Sequence, residues 1–157
     1  MKRILHLISS MQGKESYSIK LGHAIVEKIQ EKYPGSTLEE LNLIDIIVIG
    51  APLYNFTVHT ALKAWIDHIT RAGITFGYGE SGPVGKVTGK KVYIAMSSGG
   101  VFSEGPGKAN DFVAPYLKAF LGFLGMTDLT VFRAEGLKVP GVKEYALEKA
   151  IKSIKID

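Results

Sequence analysis

The sequence predicts an α/β domain built on a doubly wound parallel sheet of five strands. Short apolar runs that are typical of buried strands alternate with longer segments whose apolar residues recur at helical spacing. That alternation indicates a parallel sheet with helices on both faces. The 157 residues suffice for one substantial core, and no linker, repeat or low-complexity segment interrupts them, so residues 1–157 are assigned to a single domain.

The strands are predicted from apolar runs bounded by polar or turn-forming residues. The first run, RILHLI, ends at two serines, and the third, DIIVIG, is closed by Ala51 and Pro52. The predicted strands are residues 3–8, 37–43, 45–50, 91–96 and 129–134.

Four helices are predicted from apolar residues three and four positions apart. Pro34 and Gly35 end the first. In the second, Trp65 shares an apolar face with other large residues, so we expect it in the core or at a subunit interface. The glycine-rich segment 73–89 is predicted to be a long loop. The predicted helices are residues 18–33, 60–72, 111–124 and 142–153.

The connection between the second and third strands does not fit this sheet. Parallel neighbours need a connection of a dozen or more residues, usually a helix, but here only Asn42, Leu43 and Ile44 intervene. Three explanations stay open: a natural or engineered deletion; a rearrangement of the pair, with the first strand of the sheet exchanged between protomers or left unpaired; and a mobile segment missing from the sequence as written. We favour the third, which an intact mass of 17.1 kDa would exclude.

Composition and charge exclude several classes of protein. The chain has no cysteine, which removes disulfides, thiolate metal sites and cysteine nucleophiles and fits a reducing cytoplasm. The net charge is +4, but the lysines are spread along helices, so we expect a basic surface for acidic small ligands and no nucleic-acid binding. Apolar runs are too short for a signal peptide or membrane helix, so we expect a soluble, cytoplasmic protein with no membrane partner.

Metal and hydrolase chemistry are not expected either. The four histidines, His6, His23, His59 and His68, show no convincing ligand spacing, and His59 is interpreted as a helix-start residue rather than a catalytic acid. Ser97 lacks the GxSxG pattern of a nucleophile elbow.

Candidate binding residues follow three of the predicted strands. In open α/β sheets, ligands bind outside the carboxyl ends of the strands where the strand order reverses. Residues 9–18, SSMQGKESYS, offer hydroxyls and helix-start N–H groups that suit a phosphate, although a simple helix cap by Ser16 or Ser18 explains them equally well. The segment contains neither GxGxxG nor GK[ST], which excludes a dinucleotide fingerprint and an ATPase loop.

The other two segments suit a flat ring. Residues 51–56, APLYNF, place aromatic and amide side chains after the third strand, and the alternative is a packed loop. Residues 97–100, SSGG, let backbone N–H groups approach a ligand closely, and the alternative is an ordinary turn.

With these motifs, the chain resembles the FMN-dependent NADH-azoreductases, flavodoxin-like NAD(P)H:quinone oxidoreductases that work as homodimers. The likeness covers nearly the whole chain and is strongest over residues 45–136, where APLYNF and RAGITF are highly specific strings. The resemblance implies a flavodoxin-like fold, FMN as cofactor and NADH or NADPH as electron donor.

The resemblance also implies the residues that bind FMN. The serine loop would hold the phosphate, the loop after the third strand would line the isoalloxazine and ribityl groups, and the loop after the fourth would bracket the other ring edge. The implied set is Ser10, Ser16, Tyr17, Ser18, Pro52, Leu53, Tyr54, Asn55, Phe56, Ser97, Ser98, Gly99, Gly100 and Phe102.

This chain departs from the family at three places. Members often carry arginine where Ser98 stands and histidine or tyrosine where Phe102 stands. The family also has a helical insert between the second and third strands, which contributes to the acceptor pocket and the dimer contacts. These differences remove polar contacts to the flavin and part of the acceptor pocket.

The implied activity is transfer of two electrons from NAD(P)H to a quinone or azo compound by a ping-pong mechanism, with no catalytic protein nucleophile because the flavin does the chemistry. One alternative is a flavin-binding electron carrier without its own substrate, and rapid NADH oxidation would exclude it. Another is a flavin-free structural remnant, which a colourless protein that ignores FMN would support.

Overall fold

The computed structural model describes residues 2–8, 15–34, 37–38 and 44–156. In chain order, its elements are β1 (Arg3–Leu7), α1 (Tyr17–Lys32), β2 (Thr37–Leu38), β3 (Ile46–Pro52), α2 (Thr60–Ile69), β4 (Phe76–Gly79), β5 (Gly82–Gly85), β6 (Lys91–Ser97), a 3-10 helix (Gly105–Asn110), α3 (Val113–Phe123), β7 (Asp128–Ala134) and α4 (Lys143–Lys152).

The main sheet has five parallel strands in the order β2-β1-β3-β6-β7. The chain moves from β1 outward to β2, then returns to the other side of β1 and continues through β3, β6 and β7. The order therefore reverses between β1 and β3, and the predicted doubly wound α/β fold is confirmed.

Both faces of the sheet are covered because successive residues of a strand point to opposite sides. Along β3, Ile47 and Ile49 pack into the cluster that contains residues of α2 and α3, while Ile46 and Val48 pack into the cluster that contains residues of α1 and α4. All seven residues of β3 are buried. This central position explains why its sequence is a continuous apolar run rather than an alternating one.

The prediction that residues 73–89 form a loop is wrong. Phe76–Gly79 and Gly82–Gly85 pair as an antiparallel two-stranded sheet. The glycines do not prevent this pairing, and one of them is required by packing: a Cβ at Gly85 would lie 2.2 Å from the backbone nitrogen of Gly125. The glycine-rich composition therefore reflects close backbone approach as well as turns.

Helix α2 also ends earlier than the predicted residue 72. Its last helical residue is Ile69, and the hydroxyl groups of Thr70 and Thr75 donate to the carbonyls of Ile66 and Ile69, each at 2.6 Å. The threonine hydroxyls thus donate to the last helix carbonyls in place of the backbone N–H groups of a further turn.

The second predicted strand is present at Thr37–Leu38, and the rest of that prediction, residues 39–43, lies outside the described residues. Leu38 and Ile46 both pair with Ile4 from opposite sides. Since β1 pairs on both sides within one chain, the explanation that left β1 unpaired is wrong. Among the helices described, none is both long and apolar enough to cross a membrane.

Candidate functional site

A cleft opens at the carboxyl ends of β3 and β6, beside the start of α1. The two strands are parallel and in register up to the pair Pro52 and Ser97, so the loops that follow them leave the sheet side by side. The cleft encloses a cavity of about 210 Å³. Its lining residues are Tyr17, Pro52, Leu53, Tyr54, Ser97, Ser98, Gly99, Leu137 and Lys138.

The start of α1 carries two buried hydroxyl groups. Ser16 and Ser18 are 1% and 0% exposed, and their Oγ atoms lie 3.0 Å apart. Ser16 occupies the N-cap position, as the alternative interpretation expects, but its side chain makes no capping hydrogen bond. The helix start therefore combines hydroxyl groups and a positive dipole end, as a phosphate site requires. Ser10 lies outside the described residues.

The loop after β3 is a tight turn. The backbone groups of Tyr54 and Thr57 bond each other, at 3.2 and 2.9 Å, and the N–H of Leu53 donates to the carbonyl of Ser97 at 2.8 Å. Between them, Asn55 and Phe56 have φ angles of 47° and 65°, in the left-handed region. Such a conformation costs about 1–3 kcal/mol for a bulky residue and is concentrated at functional sites.

The residue that follows this turn has a structural role. The Nδ1 atom of His59 accepts a hydrogen bond from the N–H of Ala61 at 3.2 Å and so caps α2. The interpretation of His59 as a helix-start residue is confirmed.

The loop after β6 is tied to the loop after β7. The carbonyls of Gly99 and Gly100 accept the N–H groups of Lys138 and Gly136 at 2.9 and 3.0 Å. The hydroxyl of Ser98 donates to the carbonyl of Gly100 at 2.8 Å. The wall of the cleft formed by residues 97–100 is therefore held by backbone bonds along its length.

A buried charged cluster holds the next part of that loop. The carboxylate of Glu135 accepts the N–H groups of Phe102 and Ser103 at 3.1 and 3.3 Å. Arg133 bridges Glu135 and Asp111, with N–O distances of 3.1 and 2.6 Å. The ring of Phe102 meets that of Phe56 edge to face, with 6.2 Å between the ring centroids, so the loop after β6 contacts the loop after β3.

The cleft unites many but not all of the predicted site residues. Those that line the cavity come from all three predicted loops. Leu137 and Lys138 also line it, and sequence analysis missed them because it examined the ends of only three strands, whereas these residues follow β7. The predicted residues that lie in the same loops without lining the cavity are Ser16, Ser18, Asn55, Phe56, Gly100 and Phe102.

Titratable groups are scarce at this cleft. Within the described ranges, no cluster of three histidine or acidic side chains is suited to a metal ion. His6, whose pKa burial and the nearby His23 lower to about 4, packs against Gly22 of α1 and is not among the residues lining the cavity.

Comparison with known proteins gives one matching family model, described as a flavodoxin-like fold, over residues 36–156. An FMN-dependent NADH:quinone oxidoreductase of Herminiimonas arsenicoxydans is 59% identical over 100 residues. These residues make up 64% of this chain and cover 49% of the length of that relative. One of Idiomarina loihiensis is 39% identical over 87% of this chain and 89% of the relative.

Solved structures agree in fold. An azoreductase from Bacillus anthracis superimposes with a TM-score of 0.82 at 26% identity, over 97% of this chain and 98% of that one. An FMN-dependent NADH-azoreductase from the same species, solved in complex with FMN, superimposes with a TM-score of 0.82 at 25% identity, over 97% of this chain and 95% of that one.

The relatives are longer within the matched region. The match to the Idiomarina protein extends over 166 positions but includes 87% of this chain's 157 residues, or about 137. About 29 positions of that relative therefore have no counterpart here.

Proposed function

Because the chain belongs to the flavodoxin-like family of FMN-dependent NADH:quinone oxidoreductases, we propose that it binds FMN in the strand-end cleft and reduces quinones or azo compounds with NADH. The observation that carries the proposal is the meeting of three loops at one cavity, at the point where the strand order reverses. The names of the relatives and of the FMN-containing neighbour support the choice of cofactor.

The residues present fit the three parts of FMN. A phosphate suits the buried hydroxyls of Ser16 and Ser18 at a helix start. A flat ring suits the apolar and aromatic surfaces of Leu53 and Tyr54. A side chain at Gly100 in the third loop would crowd the ring of Phe102, because its Cβ would lie 3.2 Å from that ring.

The proposed contacts follow the three loops. Residues before and at the start of α1 hold the phosphate, residues after β3 hold the ring and ribityl chain, and residues after β6 hold the opposite ring edge. The proposed set is Ser10, Ser16, Tyr17, Ser18, Pro52, Leu53, Tyr54, Asn55, Phe56, Ser97, Ser98, Gly99, Gly100 and Phe102.

The protein's contribution to the reaction is binding and orientation. When bound, FMN supplies the redox chemistry, accepting a hydride from NADH and returning two electrons to the acceptor. The bond between Leu53 N–H and the Ser97 carbonyl fixes the spacing of the two walls, and the Glu135 cluster fixes the loop that carries Phe102. No side chain of the cleft has to form a covalent intermediate.

Donor and acceptor use the same open cleft in turn, which gives ping-pong kinetics. The test is steady-state turnover of the FMN-loaded protein with NADH and a soluble benzoquinone or an azo dye. Parallel double-reciprocal lines are expected. Loaded protein that NADH does not reduce would overturn the proposal and favour the electron carrier.

A homodimer and a cytoplasmic location also form part of the proposal. Two large apolar side chains support the dimer: Phe56 and Phe112 are 49% and 54% exposed, one in the loop after β3 and one at the start of α3. The cytoplasmic location remains a prediction from the absence of cysteine.

A further inference from the structure

Lys138 brings a positive charge to the cleft. Of the cavity-lining residues that the structure describes, it alone carries a formal charge at neutral pH. It lies four residues after the end of β7, on a segment that sequence analysis did not assign to the site.

The backbone of Lys138 is fixed by the neighbouring loops. Its N–H donates to the carbonyl of Gly99 at 2.9 Å, and a turn that begins at Gly136, with a φ of 76°, is closed by a bond from the N–H of Val139 to the Gly136 carbonyl. Because these two hydrogen bonds fix the backbone of the turn, the position from which the Lys138 side chain extends is also fixed.

The stem of the lysine lies against the loop proposed to bracket the flavin. An added Cβ at Gly99 would lie 3.2 Å from Cδ and 3.3 Å from Cγ of Lys138. Gly99 therefore leaves the space that the aliphatic part of the lysine side chain occupies.

Among the described residues, no acidic side chain pairs with this lysine. Within the part of the chain that the structure describes, its Nζ atom has no ion pair or hydrogen bond. The nearest acidic residue in sequence, Glu135, pairs with Arg133 and accepts the N–H groups of the loop after β6. An unpaired ammonium group beside an uncharged cavity favours a ligand that carries or acquires negative charge.

We propose that Lys138 contacts the edge of the bound flavin ring and stabilises the negative charge that the ring gains on reduction. The inference rests on the proposed function. Hydride from NADH brings two electrons and one proton, so the neutral oxidised ring becomes an anion unless it takes up a second proton. A cation at its edge then binds the reduced ring more tightly than the oxidised ring and raises the midpoint potential.

The test compares K138M, which removes the charge at similar length, with K138R, which keeps it, and with the control K118M on the exposed side of α3. The affinities for FMN and for riboflavin are measured by flavin fluorescence, and the two-electron potential by dye equilibration. For K138M we expect the potential to fall by about 30 mV, which is a tenfold selective loss of affinity for the reduced form. FMN and riboflavin affinities should fall by the same factor, and K138R and K118M should match the unsubstituted protein.

Four results would overturn the proposal. A loss confined to FMN would place Lys138 at the phosphate instead of the ring. An unchanged potential with a raised KM for NADH would place it at the donor site. Failure of the unsubstituted protein to bind either flavin would remove the proposed function itself, whereas normal flavin binding with a K138M potential unchanged would remove only this inference.

Discussion

His6 is a half-buried histidine whose buried Nε2 atom has no hydrogen-bond partner among the residues that the structure describes. It lies on β1 beneath α1, where a Cβ at Gly22 would come within 2.5 Å of that nitrogen, and its ring meets the ring of His23 edge to face at 5.0 Å between centroids. Burial first, and the charge of His23 second, lower the pKa of His6 to about 4 from 6.5. The imidazole is therefore packed in its neutral form.

This histidine makes stability depend on pH. Between pH 6.5 and about 4 the unfolded chain binds a proton that the native chain does not, so the free energy of unfolding falls as the pH falls through that window. After allowance for solvent screening, we expect a loss of about 1–2 kcal/mol. Urea unfolding at pH 7 and pH 5 measures it.

The control variants separate His6 from other groups. His6→Gln should remove most of the loss, and His68→Gln, on the exposed face of α2, should retain it. The pKa of Asp45 is lowered because its carboxylate accepts the N–H of Arg3, so its stabilisation is lost only below about pH 3.8, outside this window. An equal loss in His6→Gln would contradict this explanation.

At the scale of elements, the start of α1 is the proposed phosphate site. Ser18→Ala removes one of two buried hydroxyls, and a hydrogen bond to a charged group is worth about 1.5–3 kcal/mol. We therefore expect FMN to bind at least about tenfold more weakly while riboflavin, which lacks the phosphate, binds as before. Equilibrium titration of both flavins measures this, with Ser153→Ala on α4 as the control. Equal weakening of both flavins would show that Ser18 supports the fold rather than the phosphate.

The loop after β6 depends on the Glu135 cluster. Side chains of Glu135, Arg133 and Asp111 are 9%, 19% and 14% exposed, so removing one partner leaves a largely buried charge. We expect Glu135→Ala to lower the free energy of unfolding by about 3 kcal/mol. Glu148→Ala, which breaks an exposed pair with Lys152, should leave the urea midpoint nearly unchanged. Similar effects of both substitutions would contradict a structural role for the cluster.

The limits of sequence analysis are clearest at this scale. The apolar run Ile46–Pro52 predicts a buried central strand, and all seven of its residues are buried, with Ile46–Ile49 and Ala51 packed into the two cores. The hairpin at Phe76–Gly79 and Gly82–Gly85 was missed because its glycines suggest a loop. Glycine is required at position 85 because the backbone of Gly125, forty residues away in sequence, leaves no space for a side chain. Lys138 was missed for the same kind of reason: only the pairing of its backbone with Gly99 brings it to the cleft.

At the scale of the whole molecule, the proposed dimer predicts a solution mass of twice 17.1 kDa by light scattering. Exposed phenylalanines are better accommodated in an interface than in water, so Phe112→Ser should shift the equilibrium towards the monomer. Tyr145→Ser, at a 67% exposed position on α4, is the control. A mass of 17.1 kDa at every concentration of the unsubstituted protein would contradict the dimer.

The doubly wound arrangement of the main sheet was predictable because the strand and helix patterns agree with each other along most of the chain. The sequence did not reveal that β2 and β3 pair on opposite sides of β1. Leu38 and Ile46 both lie opposite Ile4, and only residues 39–45 separate them in sequence. The cleft forms beyond Pro52 and Ser97, at the carboxyl ends of β3 and β6.

The central claim is that this cleft binds FMN. The most direct measurement is the visible absorption spectrum of the protein after incubation with FMN and removal of the excess by gel filtration. We expect retained flavin bands, shifted from those of free FMN, at one flavin per chain. A colourless protein, with all of the FMN recovered in the small-molecule fraction, would contradict it.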